Sequence, residues 1–268
     1  MRKILAALAA VALATTACGT SDTASTGSTA SAPVPAPAGT GAPGGKTLTV
    51  FAAASLTESF GALEKEFEAA HPGVDVKFNF AGSSALVQQL TQGAKADVFA
   101  SADQANMDKA TSGGVIDGQP TVFATNKLTI AVAPGNPKGI KSFADLAKGG
   151  TIVIVCAPQV PCGSAAKKVE TNTGVTLKPV SEEQDVKSVL TKVESGDADA
   201  GLVYVTDAAT AGGKVGKVDF PEATGAINNY PIAVVKDAPQ AALAKEFEDF
   251  VLGATGKQEL AKVGFGAP

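Results

Sequence analysis

Val50-Phe51-Ala52-Ala53-Ala54-Ser55-Leu56-Thr57-Glu58 and Phe78-Asn79-Phe80-Ala81-Gly82-Ser83-Ser84-Ala85-Leu86 read alike. In each, a short apolar β-like run ends in small residues and a serine, and a helical pattern begins at once. A helix start presents unpaired backbone N–H groups and the positive end of the macrodipole, and a serine adds a hydroxyl donor. Two such corners facing each other can hold a small anion without Lys or Arg. Taken singly, each serine also reads as a helix cap, and Ser55 with Glu58 three residues on has capping-box spacing.

Working outward, strands and helices alternate. Residues 47–51 are β-like, and Leu56, Phe60, Leu63 and Phe67 form an apolar helical face at spacings of four, three and four. Residues 74–80 form the next strand, a helix runs through Leu86, Val87 and Leu90, and residues 97–100 make a short strand. Ser101-Ala102-Asp103-Gln104 has capping-box spacing for a further helix. This βαβαβα order implies an α/β fold with a parallel sheet covered on both faces. A second set follows: strands at 128–133 and 152–155, an extended run at 175–180, and a strand at 200–205. Short helices fall at 142–147 and 162–169, and Val186, Val189, Leu190 and Val193 mark a longer apolar stripe. The chain returns through Tyr230-Pro231-Ile232-Ala233-Val234-Val235 to two terminal helices. The expectation is two α/β lobes, the second inserted in the first: residues 46–125 plus 228–268, and residues 126–227. Ligands of open α/β sheets sit beyond the carboxyl ends of strands, where Ser55 and Ser83 fall.

The 268 residues carry a formal net charge of −4, which argues against a nucleic-acid partner and offers no long-range attraction to an anion. Met1-Arg2-Lys3 before an apolar run from Ile4 has the layout of a secretory signal, expected over residues 1–17 and too short to span a membrane. Thr15-Thr16-Ala17-Cys18 has the small residues of a bacterial lipobox, with Thr15 where Leu is usual, so Cys18 is the expected lipidation site; the alternative is an ordinary cleavage site. Residues 18–45 are almost entirely Ser, Thr, Ala, Gly and Pro after the cysteine, a composition that reads as a flexible tether. Cys156 and Cys162 bracket five residues; in an exported protein such a pair reads as a disulfide, the alternative being two buried thiols.

With these motifs in order, the chain resembles the molybdate-binding proteins of ABC importers, the ModA family. The resemblance rests on the two opening segments, on Gly93-Ala94-Lys95-Ala96-Asp97-Val98-Phe99-Ala100-Ser101-Ala102-Asp103, and on Val160-Pro161-Cys162-Gly163. It continues through Asp185-Val186, Gly201-Leu202-Val203-Tyr204 and Tyr230-Pro231-Ile232-Ala233-Val234-Val235. It implies a type II periplasmic-binding-protein fold that closes on molybdate or tungstate. Carried over motif by motif, Ser55 and Ser83 supply hydroxyl and backbone donors, Cys162 and Val186 backbone N–H groups, and Tyr204 its phenol hydroxyl. Ser83 rather than Ser84 follows from counting on from Phe80. The implied partners are the oxyanion and an ABC permease with its ATPase. The expectation is a monomer held by its lipid on the outer face of the cytoplasmic membrane, with no cofactor and no metal bound directly by side chains.

Rival classes are a binding protein of the same fold for sulfate or another small anion, a serine hydrolase, and a surface lipoprotein that binds another protein. A hydrolase needs a Gly-x-Ser-x-Gly elbow and a histidine base. Gly82-Ser83-Ser84-Ala85-Leu86 lacks the second glycine, and His71, just before Pro72-Gly73, is the only histidine. Asp97 and Asp103 read as local caps, Lys167 and Lys168 as a solvated helix face.

Overall fold

The computed structural model describes residues 45–268. The expected signal segment 1–17, Cys18 and all but the last residue of the tether lie outside the described residues. Two five-stranded sheets organise the rest. The first has the order β2-β1-β3-β10-β4, and the second β7-β6-β8-β5-β9. In the first sheet β1 is Lys46–Ala53, β2 Val74–Ala81, β3 Val98–Ala100, β4 Thr121–Asn126 and β10 Asn228–Val234. In the second, β5 is Leu128–Val132, β6 Val153–Cys156, β7 Ser181–Glu183, β8 Ala200–Tyr204 and β9 Gly216–Val218. Each sheet with its helices is here a lobe. The chain passes from the first to the second between Asn126 and Leu128, and returns after Val218 to enter β10 at Asn228.

Both sheets are mixed rather than parallel. β1 runs parallel to β2 and β3, but β10 is antiparallel to β3 and β4, and β5 is antiparallel to β8 and β9. The strands β4 and β9 leave weak sequence signals: Thr121-Val122-Phe123-Ala124-Thr125-Asn126 runs directly on to β5, and Gly216-Lys217-Val218 is three residues long. Residues 175–180, expected to be extended, do not form a strand; pairing with β6 falls at Ser181–Glu183.

The alternation of β1 explains why its sheet is covered on both faces. Val50 and Ala52 enter one apolar cluster with Phe60, Leu63 and Phe67 of α1 (Thr57–Ala70) and Phe247 of α7 (Ala241–Leu252). Phe51 enters another with Leu86 and Leu90 of α2 (Ser83–Thr91) and Met107 of α3 (Gln104–Ser112). The second lobe has one continuous core, in which Val169 of α4 (Pro161–Thr173) and Val189 and Val193 of α5 (Val186–Glu194) pack over β6 and β8.

Register decides where the helices start. Ala53 pairs with Ala81, so the two serines lie two residues beyond strands that end level. In the second lobe β6 and β7 end together, Cys156 opposite Glu183, just before the starts of α4 and α5. A Cys156–Cys162 disulfide closes that first turn. Gly163 lies under it with no room for a side chain: a Cβ there would come within 2.0 Å of the Ala157 carbonyl oxygen.

Closing so short a loop restrains the unfolded chain by about 2 kcal/mol. The Cys156→Ser, Cys162→Ser double variant is therefore expected to lose stability of that order in urea unfolding, and an unchanged unfolding free energy would contradict it.

Candidate functional site

Three α-helices and one 3-10 turn begin around the same space. In α2 the cap is Gly82, whose carbonyl oxygen accepts from Ala85 and Leu86 N–H, leaving the Ser83 and Ser84 N–H groups without an acceptor in their own helix. In α4 the first position is Pro161, which has no N–H, and Ser164 N–H makes the first bond, to Val160; Cys162 and Gly163 are left. In α5 the Asp185 carboxylate caps Ser188 N–H at 2.8 Å, leaving those of Val186 and Lys187. Ser55 sits in the 3-10 turn Ala54–Leu56 that leads into α1.

Neither serine hydroxyl caps its helix. Ser55 Oγ shares a 2.9 Å hydrogen bond with the Tyr230 hydroxyl, and Ser83 Oγ accepts from Ala102 N–H at 2.9 Å. Likewise Asp103, not Ser101, caps α3, its Oδ1 accepting from Asn106 N–H. For Ser55 and Ser83 the cause is a buried partner from another element, and the long-range bond displaces the local one; the Ser101 hydroxyl instead turns to the Asp103 carbonyl oxygen two residues on.

The lobes touch at the site. A Cβ on Gly82 would lie 2.0 Å from the Gln184 carbonyl oxygen and 3.6 Å from a Val160 methyl carbon. The α2 start is thus pressed against the residues that precede α4 and α5, and only a glycine permits it. Asn126 Nδ2 donates to Thr206 Oγ1 at 2.9 Å beside the first crossing. The rings of Tyr204 and Tyr230, one at the end of β8 and one within β10, meet edge-to-face with centroids 6.0 Å apart.

All five residues expected at the site are buried, and Tyr204 carries the sharpest signal. Its hydroxyl is enclosed and has no hydrogen-bond partner. Tyr230 is near enough for the two phenols to act on each other's ionisation, but its hydroxyl is bonded to Ser55, and by distance and angle no partner meets hydrogen-bond geometry at the Tyr204 oxygen. An unsatisfied buried donor costs about 1–3 kcal/mol, so its persistence points to a ligand that accepts from it.

The site's ionisable groups are engaged with protein partners. Asp103 faces its own helix cap, with Asn106 also donating its side-chain amide at 2.9 Å. Asp207, fully buried, accepts from Tyr204 N–H at 3.1 Å through Oδ2. Its Oδ1 lies 3.0 Å from Lys187 Nζ, outside hydrogen-bond geometry. Burial raises the Asp207 carboxyl, and the Lys187 charge opposes that rise. Burial also pushes both phenols well up, helped at Tyr204 by Tyr230, Asp103 and Asp207; at Tyr230 the rise is only partly offset by Ser55, and less by Asn126 and Tyr204. Both phenols therefore stay protonated donors throughout the physiological range. Among the described residues no cluster of three or more His, Cys, Asp or Glu could hold a metal.

Sequence reasoning missed Tyr230, Asn126 and Lys187 as parts of this site. The only signal for Tyr230 is that the chain has just two tyrosines and both lie in the motifs quoted above. Lys187 stands beside Val186 at the α5 start, hidden by the apolar stripe that identified the helix.

Residues 48–266 match the family model described as bacterial extracellular solute-binding protein. The chain is 53% identical over 236 residues to the molybdate-binding protein ModA of Mycobacterium tuberculosis (strain H37Rv), covering 88% of this chain and 90% of that protein. The chain belongs to the ModA family. Among solved structures, this ModA-family chain matches the Azotobacter vinelandii periplasmic molybdate-binding protein with a TM-score of 0.71 at 24% identity, over 82% of this chain and 99% of the other. It matches the sulfate-binding protein SubI of Mycobacterium tuberculosis H37Rv equally, with a TM-score of 0.71 at 21% identity, over 82% of this chain and 86% of the other. Both likenesses bear on the fold alone: it is that of periplasmic binding proteins, as the resemblance implied.

The raised phenols make an optical test. In the folded chain no tyrosinate absorbance is expected near pH 11, whereas the urea-unfolded chain should ionise both tyrosines around pH 10. Because the folded values are the higher ones, this contribution to stability is intact below about pH 10 and is lost as pH rises above it. Two tyrosinates titrating normally in the folded chain would contradict the burial.

Proposed function

We propose that this chain is the extracytoplasmic receptor of an ABC importer. It captures molybdate, and tungstate with it, between its two lobes and delivers the anion to the permease and its ATPase. The observation that carries this reading is the unpartnered Tyr204 hydroxyl, buried beside Tyr230 of the other lobe. Ser55, Ser83, Cys162, Val186 and Tyr204 form the proposed shell. The name and 53% identity of the mycobacterial relative support molybdate as the ligand.

The chemistry fits. A bare dianion buried without partners costs tens of kcal/mol, so it needs a complete shell of donors. Hydrogen bonds to charged groups contribute about 1.5–3 kcal/mol each, and the helix starts and hydroxyls here supply enough of them for tight binding. Hydrogen phosphate carries a proton that needs an acceptor; the nearest carboxylates, Asp103 and Asp207, are engaged with Asn106 and with Lys187 and Tyr204 N–H. Sulfate differs from molybdate only in size, so discrimination between them falls to the dimensions of the closed cavity. The proposal includes opening and closing about the two crossings, residues 46–125 plus 228–268 moving against 126–227. It also includes acylation of Cys18, a tether over residues 18–45, and a monomeric receptor.

No covalent chemistry is part of this reading. His71, the only histidine in the chain, ends α1 with Nδ1 2.8 Å from the Phe67 carbonyl oxygen and its ring stacked on Phe67. No histidine base therefore serves either serine, which disfavours a hydrolase.

Calorimetry with molybdate, tungstate, sulfate and phosphate tests the proposal. The expected result is tight binding of molybdate and tungstate with far weaker heats for the other two. Sulfate bound as tightly as molybdate would overturn the specificity, and no heat with any oxyanion would overturn the class.

A further inference from the structure

The two lobes are joined at the cleft by one cation held between two carboxylates. Lys187, second residue of α5, places Nζ 2.8 Å from both oxygens of Glu58 and 3.0 Å from Asp207 Oδ1. Glu58 lies in the first turn of α1, in the first lobe. Asp207 lies in the second lobe on α6 (Val205–Thr210), its side chain fully enclosed. The cluster therefore has an internal half and a crossing half. Asp207 and Lys187 belong to one lobe, so that contact does not depend on the lobes meeting. Glu58 belongs to the other and reaches Lys187 only across the cleft.

The cluster touches both walls of the proposed anion shell. Lys187 follows Val186, whose N–H is one expected donor, and Glu58 follows Ser55 by three residues. Gly82 against Gln184 shows the lobes pressed together in the same conformation in which the Glu58 pair is made. The lysine is only 24% exposed, so water competes weakly for its ammonium; Glu58 is 40% exposed and free to leave when the lobes part.

We infer that Lys187 and Glu58 form an interlobe latch that sets the residence time of the captured anion. Lys187 is pre-positioned by the buried Asp207, and Glu58 closes on it when the lobes meet. Neither carboxylate contacts the anion: both are positioning groups that act through Lys187. The latch rests on the reading of the cleft as an oxyanion site. Because release requires opening, the pair is broken on the way out and formed after entry, so its effect falls on dissociation rather than association.

A sign argument separates the latch from simple electrostatics. Glu58 places a negative charge near an anion site. By charge alone, Glu58→Gln should slow the release of a dianion. The latch requires the opposite.

The experiment is stopped-flow release of molybdate from the folded chain in wild type, Glu58→Gln and Glu66→Gln, the last an exposed α1 glutamate that changes net charge equally. Glu58→Gln leaves the buried Lys187–Asp207 contact intact, so folding is not at risk. The expected result is release about fivefold faster in Glu58→Gln, the upper range for a partly exposed pair, with association not slowed and Glu66→Gln like wild type. Added salt should speed wild-type release towards that of Glu58→Gln. Release from Glu58→Gln at or below the wild-type rate, or equally fast release from Glu66→Gln, would overturn the latch while leaving the oxyanion site standing. A wild-type chain that takes up no molybdate would overturn both.

Discussion

The arrangement depends on a hydroxyl that nothing in the protein satisfies. Tyr204 is enclosed by its own lobe and by Tyr230 of the other, yet its oxygen has no partner. An isolated chain gains nothing from such a group, and a phenylalanine would fill the same space without the desolvation cost. The surrounding helix starts share its character: backbone donors with no acceptor, gathered where strands of both sheets end. A fold that gathers unsatisfied donors at one point offers a place to an acceptor, and in the proposed reading that acceptor is an anion with oxygens on several sides.

Charge is managed so that this anion sees neutral donors. Asp103 and Asp207 are close enough to push the Tyr204 phenol up, but each is occupied, the first by its helix cap and Asn106, the second by Tyr204 N–H and Lys187. Lys187 is not a free cation either, since Glu58 and Asp207 surround it. The result is a site without net attraction for anions in general, in a chain of net charge −4, that rewards a fully deprotonated oxyanion able to accept from every side.

What was legible in the sequence was local. The strand-to-helix corners at Ser55 and Ser83 show in the switch of apolar period, and the helical faces of α1 and α5 in their spacing. The pairing of Cys156 with Cys162 shows in their separation. What was not legible depends on contacts between distant segments. Local alternation looks the same for parallel and antiparallel neighbours, so the βαβ order hid the antiparallel β10 that crosses back into the first sheet. The capping reading of Ser55 failed because its buried hydroxyl found Tyr230, 175 residues away; that of Ser101 failed locally, since its hydroxyl bonds the Asp103 carbonyl oxygen and Asp103 itself caps the helix. Lys187 was invisible because its two carboxylates come from α1 and α6. Sequence shows where donors start, and only the fold shows which of them are left without partners.

The Tyr204→Phe variant tests the central claim most directly, through molybdate calorimetry paired with urea unfolding of the ligand-free chain. If the hydroxyl exists for the anion, affinity should fall roughly ten- to a hundredfold, the worth of one hydrogen bond to a charged group. The ligand-free chain should be as stable as wild type or more so, since an unsatisfied buried donor has been removed. Unchanged affinity, or a ligand-free chain clearly less stable than wild type, would show that the hydroxyl serves the fold and would contradict the account.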